Sequence, residues 1–295
     1  MKRILILFIA CLLLTGCHTQ EAPARIAATT LPVYEFTAEL CMGTDITVTR
    51  LVTEEVSCLH DYSLNVRQVR AAEAAEWIVI SGAGLEAFLA DLIPEESIVD
   101  ASQDITLLEP QEAHHDHGHG EASHDHGHSH EEDPHIWLSP ANAVTMAENI
   151  CRGLCNAYPE YTDSFNANLV SLTDRILAVQ SYGEDALASL SCREIITFHD
   201  GFSYFAEAFG LTILEAVEEE SGSEASAKEL IHLIEEVEHH NLPAVFTEKS
   251  GSVSAASIIA RETGCKTYCL DMAMTGDSWF DAMYHNINTI KEALQ

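Results

Sequence analysis

Trp77-Ile78-Val79-Ile80-Ser81-Gly82 is the stretch on which the fold turns. Four large apolar residues run without a polar break and stop at a serine and a glycine, which reads as a strand buried on both faces. Upstream of it, Leu64–Ala75 reads as a helix, Ile46–Val52 as a strand, Val33–Met42 as a helix and Arg25–Thr30 as a strand. Downstream, Leu85–Leu92 reads as a short helix and Ser97–Ala101 as another strand. Strands alternating with helical stretches predict a parallel sheet covered by helices on both faces.

The second half repeats the alternation. Glu194–Phe198, Leu211–Val217, Ala244–Glu248 and Lys266–Asp271 read as strands. Helical segments at Phe202–Phe209, Ser226–His240, Ser252–Gly264 and Ser278–Leu294 separate or close them, and an acidic loop occupies Glu218–Glu224. Between the halves, Ala141–Asn156 is helical and Pro159 restarts the chain. Glu160–Leu190 then contains no proline and a single glycine, Gly183. Phe165, Leu169, Leu172, Ile176 and Val179 recur there at three- and four-residue steps, an apolar stripe on a helix. Some thirty helical residues would be about 45 Å long, more than a local crossover needs. The segment reads as a rigid strut, or as two helices broken at Gly183. The expectation is two α/β lobes, residues 25–159 and 191–295, joined by a helix over 160–190.

The amino terminus is a targeting segment. Met1-Lys2-Arg3 is basic and Ile4–Leu14 is apolar, too short for a comfortable membrane span and suited to a signal peptide over residues 1–16. Leu14-Thr15-Gly16-Cys17 resembles the bacterial lipobox, which would lipidate Cys17 and leave 17–24 as a tether; an uncleaved anchor is the alternative. Both put the body on the extracytoplasmic face of a membrane. The formal net charge of −33 repels nucleic acid and attracts cations, which excludes nucleic-acid binding. Of the cysteines after Cys17, Cys151 and Cys155 share a helix face, so core packing or a soft metal site competes with a bridge there. No Cys-x-x-Cys pair suggests a zinc ribbon.

Histidines carry the chemistry. A loop over 113–132 holds His114, His115, His117, His119, His124, His126, His128 and His130 among glycines and acidic residues, with almost nothing apolar. Such a tract reads as a disordered, weak auxiliary metal binder. His135 follows in Asp133-Pro134-His135-Ile136-Trp137-Leu138, against an apolar run that fixes it to a folded body. Ligands of open parallel sheets gather beyond the carboxyl ends of strands, and that rule selects His60, His135, His199 and Asp271. Three imidazoles and a carboxylate suit tetrahedral zinc, at roughly 2.0 to 2.2 Å. His232, His239, His240 and His285 lie on or beside charged helical faces and read as solvated.

His60-Asp61-Tyr62-Ser63-Leu64, Asp133–Leu138, Phe198-His199-Asp200 and Ser223-Glu224-Ala225-Ser226 resemble the signatures of zinc-binding lipoproteins, the solute-binding proteins of bacterial ABC metal importers. The likeness spans nearly the whole chain after Cys17. It implies two four-stranded, mainly parallel lobes, a backbone helix and Zn(II) bound between the lobes as cargo. It also implies a membrane permease and its ATPase as partners, with this protein a lipid-anchored monomer. Ala225 stands where the family has proline, and the fourth ligand varies across the family, which makes Asp271 the weakest member of the set. His199 stands where manganese-binding relatives carry glutamate, and imidazole suits zinc. The rivals are a surface zinc buffer or adhesin without a transport partner, and a secreted zinc hydrolase. The chain carries no His-Glu-x-x-His helix for the latter, and the reading is that it is not an enzyme.

Overall fold

The computed structural model describes residues 24–56, 59, 62–89, 92–109, 132–217, 225–249 and 251–295. The signal segment, Cys17, Cys58, His60, the eight histidines from His114 to His130 and the loop 218–224 lie outside the described residues.

Strands β1 (Ile26–Ala28), β2 (Val48–Arg50), β3 (Trp77–Ile80) and β4 (Ile98–Asp100) form one sheet in the order β2-β1-β3-β4, every pairing parallel. Strands β5 (Glu194–Thr197), β6 (Thr212–Ala216), β7 (Ala244–Glu248) and β8 (Lys266–Leu270) form a second parallel sheet, β6-β5-β7-β8. The two sheets share one topology. Strand order reverses between β1 and β3 and again between β5 and β7, so each lobe opens a crevice at that point.

Helices α1 (Leu31–Leu40), α2 (Val66–Ala74) and α3 (Pro140–Ala157) belong to the first lobe. Helices α5 (Ser203–Phe209), α6 (Ala227–His240), α7 (Ser254–Thr263) and α8 (Trp279–Leu294) belong to the second. Reciprocal caps start two of them: Asn65 with Gln68 at α2, and Ser226 with Glu229 at α6. The helix expected at Leu85–Leu92 is a correction, since only a 3-10 turn at Ala87–Leu89 forms among its described residues. The cause lies at its start, where Gly82, Ala83 and Gly84 all take positive φ. The Glu86 carboxylate folds back to accept from the Ser81 amide at 2.8 Å, the Gly82 amide at 3.0 Å and the Thr29 hydroxyl at 2.7 Å. Those three donors favour the anion, yet burial outweighs them and pushes the carboxyl up to about 7.

The strut is one helix, α4 (Thr162–Leu187), of 26 residues and about 39 Å. It passes through Gly183 unbroken and lies against α3 in one lobe and α8 in the other. Its buried side is Phe165, Leu172, Ile176, Val179, Gly183 and Leu187. Gly183 is there because Phe209 is: a Cβ would sit 2.2 Å from Phe209 Cε1.

The lobes share a core. A single buried cluster runs from Ile26, Phe36 and Trp137 to Phe205, Phe246 and Trp279. At the seam the Trp137 indole donates to the Met272 carbonyl at 2.7 Å, and the Trp279 indole to the Trp137 carbonyl at 2.9 Å. The Leu31 amide donates to Met274 O at 3.0 Å, and Arg50 to Gly276 O at 2.7 Å. Glu35 of α1 accepts from the Ser278 hydroxyl at 2.8 Å and the Trp279 amide at 2.6 Å, at the start of α8. Buried indole donors are all paired, as a dry seam requires. The described cysteines are free thiols, and Cys151 is buried beside Asn166, so core packing is the reading that holds for it. Among the described residues no helix is long and apolar enough to cross a membrane.

Candidate metal centre

Two of the four expected ligands meet. His135 and His199 come from different lobes, and their ring centroids lie 5.3 Å apart at an interplanar angle of 83°. His135 is only 1% exposed. Its position is set by Asp133, whose Oδ1 accepts from the His135 amide at 2.9 Å and contacts the ring Nδ1 at 2.7 Å. A carboxylate on Nδ1 fixes that nitrogen as the N–H and leaves Nε2 as the bare, basic atom. Nε2 of His135 is buried and has no hydrogen-bond partner, the state expected of a nitrogen kept for a ligand. Ile136-Trp137-Leu138, all fully buried, anchor the segment from the other side.

His199 stands two residues past β5, next to the switch point of the second sheet. Its carbonyl accepts from the buried Thr197 hydroxyl at 3.1 Å, and the Phe198 amide donates to Phe246 O at 2.8 Å. On its Nδ1 side lies Glu248 Oε2, at 3.9 Å. Glu248 ends β7 across the same switch point, and its side chain is 3% exposed. Each imidazole therefore has a buried carboxylate beside Nδ1, and Nε2 is the natural ligand atom of both.

Gly201 is the third party. A Cβ on it would stand 2.6 Å from Met272 Cε, 2.8 Å from His199 Cδ2 and 3.0 Å from His135 Cε1. Only a hydrogen fits there between the two rings.

Asp271 follows β8, as expected, but its carboxylate is engaged. Oδ1 accepts from the Ala273 amide at 2.8 Å, and Oδ2 lies 3.7 Å from Lys249 Nζ. Its own backbone is clasped by Asn286, which accepts from the Asp271 amide at 2.8 Å and donates to its carbonyl at 2.7 Å. Among the described residues no three histidine, cysteine, aspartate or glutamate side chains are grouped closely enough to hold an ion. His60 lies outside those residues; beside it, Leu59 is buried and accepts a 3.0 Å bond from the Tyr62 amide. The other described histidines keep to the surface of the second lobe: His232 beside Glu215, His240 beside Glu194 and Glu236, His239 tilted against the His240 ring, and His285 on Cys269 O.

Sequence reading missed Glu248 and the job of Asp133. Glu248 carried a usable signal, a carboxylate closing a strand whose other four residues are Ala, Val, Phe and Thr. Asp133 lay inside the motif, but only the contact to Nδ1 reveals its role.

Two parallel-sheet lobes, linked by one helix and bringing one imidazole from each to the seam, define a two-lobed α/β protein. The chain belongs to the ZnuA family, described as the periplasmic component A of the zinc-uptake complex, which matches residues 26–293. It is 27% identical over 313 residues to the zinc-binding lipoprotein AdcA of Streptococcus pneumoniae serotype 4, covering 99% of this chain. It spans 61% of that relative's length. A crystal structure of ZnuA superposes with a TM-score of 0.76 at 26% identity, covering 92% of this chain and all of that one. A ZnuA deletion mutant with zinc bound gives 0.75, also at 26% identity.

Proposed function

We propose that this chain is an extracytoplasmic zinc-binding protein that captures Zn(II) between its lobes and delivers it to an ABC permease and its ATPase. The observation that carries the reading is the His135–His199 pair, two imidazoles at 5.3 Å from opposite lobes, one with its Nδ1 held by a carboxylate and its Nε2 buried and bare. His60, which the sequence puts beyond β2, supplies the third nitrogen. Asp271 or a water completes the sphere; for Asp271 to bind, its carboxylate must exchange Lys249 for the ion. Nitrogen-rich coordination suits zinc, and manganese stands at the weak end of the divalent series.

Cys17 tethers the protein to the membrane, and the histidines from His114 to His130 collect zinc weakly outside the site. Zinc binding by AdcA and by ZnuA supports the cargo, and the family's description as an uptake component supports the partners.

The test is zinc titration by chelator competition on the parent and on H60A, H135A and H199A. Each variant should lose more than the roughly 10- to 100-fold seen when groups behind a ligand are changed. Manganese at modest excess should not displace zinc from the parent. Parent-like binding by both H60A and H199A would overturn the assignment.

A further inference from the structure

The buried hydroxyl of Tyr204 does not touch the metal centre, yet it holds the residue that aims His135. Tyr204 belongs to α5, five residues after His199, and is 2% exposed. Its oxygen accepts from the Leu108 amide at 2.9 Å and donates to the Asp133 carbonyl at 2.9 Å. The Asp133 amide in turn donates to Leu108 O at 3.0 Å. One side chain of the second lobe thus closes a three-membered hydrogen-bonded ring on two loop segments of the first lobe. The next bond out of that ring is Asp133 Oδ1 to His135. Burial, the largest influence, pushes the phenol up to about 12, so it stays a donor at any working pH.

We propose that Tyr204 is a positioning residue for the zinc site: it fixes the Asp133 backbone, and through the Asp133 carboxylate it sets the angle and tautomer of His135 against His199. The inference rests on the reading of His135 as a zinc ligand. The ring lies at a crossing of the two lobes, so Tyr204 also ties the His135 segment to the lobe that carries His199. A mispositioned imidazole costs affinity even when every ligand is present, because the carboxylate behind a ligand acts through orientation and basicity.

The experiment is a double-mutant cycle of Y204F and D133N on the full chain, read by zinc competition and by the visible spectrum of the Co(II)-loaded protein. H135A serves as the control for the site itself. Y204F should weaken zinc by about 10-fold, the low end of what groups behind a ligand contribute, and should shift the Co(II) bands. D133N should weaken it at least as much. The double variant should be no weaker than D133N alone, since Tyr204 acts through Asp133. A purely structural tyrosine would lower the melting temperature of the metal-free protein while leaving affinity and spectrum as in the parent, and that result overturns the inference. So do losses that add in the double variant. If H135A itself binds like the parent, the site reading fails instead, and the two failures are distinguishable. Should Y204F not fold, 3-fluorotyrosine at 204 keeps ring and hydroxyl; a Co(II) shift is expected in the parent and not in D133N, and no shift in either overturns the proposal.

Discussion

At Gly201 a hydrogen atom keeps two imidazoles in place. Alanine there would add a carbon within 3.0 Å of Met272, His199 and His135 side-chain atoms. The methionine methyl can swing away; the two rings are braced by Asp133 and by the buried Thr197–Phe198 backbone and have less room. Gly201→Ala should therefore cost about 1 to 3 kcal/mol of stability through overpacking and spread the histidines. Zinc affinity should fall with it, and a chelator titration in which G201A matches the parent would refute the close approach. At this scale the sequence pointed to two residues that the fold brings to 5.3 Å of each other, His199 just beyond β5 and His135 at the entry to the Ile136–Leu138 turn. It was silent on what stands behind a ligand. Asp133, Glu248 and Tyr204 act through contacts to residues whose proximity comes only with the tertiary fold, and no local pattern encodes such a contact.

Among the elements, α4 shows how packing settles a question that propensity leaves open. A glycine in mid-helix costs about 1 kcal/mol relative to alanine, so a break at Gly183 stood as the alternative to the rigid strut. The helix runs through it because Phe209 of α5 occupies the space a Cβ would take, at 2.2 Å. Gly183→Ala should then reverse the usual sign. The helical gain of about 1 kcal/mol is smaller than the overpacking cost of up to about 3 kcal/mol, and denaturant unfolding should show net destabilisation. Shortening the obstacle with Phe209→Leu should restore part of the gain, so the double variant should be more stable than the sum of the two single losses. A stabilised G183A would mean that Phe209 moves aside freely. The strands and long helices were read close to their observed bounds because their periodicity is local. Leu85–Leu92 was misread because Glu86 is a buried carboxylate tied to Thr29, Ser81 and Gly82, a contact that no local pattern shows.

For the whole molecule, two lobes and a strut followed from the alternation of strands and helices, whereas the shared core did not. Trp137 and Trp279 are 142 positions apart yet bonded at 2.9 Å, and no spacing rule reaches that far. The seam bears on the His-rich tract. The described residues on either side of it form a closed neck, where the Asp133 amide donates to Leu108 O at 3.0 Å and Tyr204 holds both residues. Removing Ala113 to His130 should leave that neck intact. Loop-closure entropy changes by only about 0.6 kcal/mol for each doubling of loop length, so the melting temperature of the metal-free protein should barely move. The tight zinc equivalent should remain, since His135 and His199 are held by Asp133, Thr197 and the seam rather than by the tract. The additional weak equivalents should vanish. Their ligands would come from a segment whose sequence carries too little apolar surface to build a core. Calorimetric titration of the shortened and parent proteins gives both stoichiometries directly. Loss of the tight equivalent in the shortened protein would make the tract a source of the transport ligands, and the separation of a fixed site from a loose collector would fall with it.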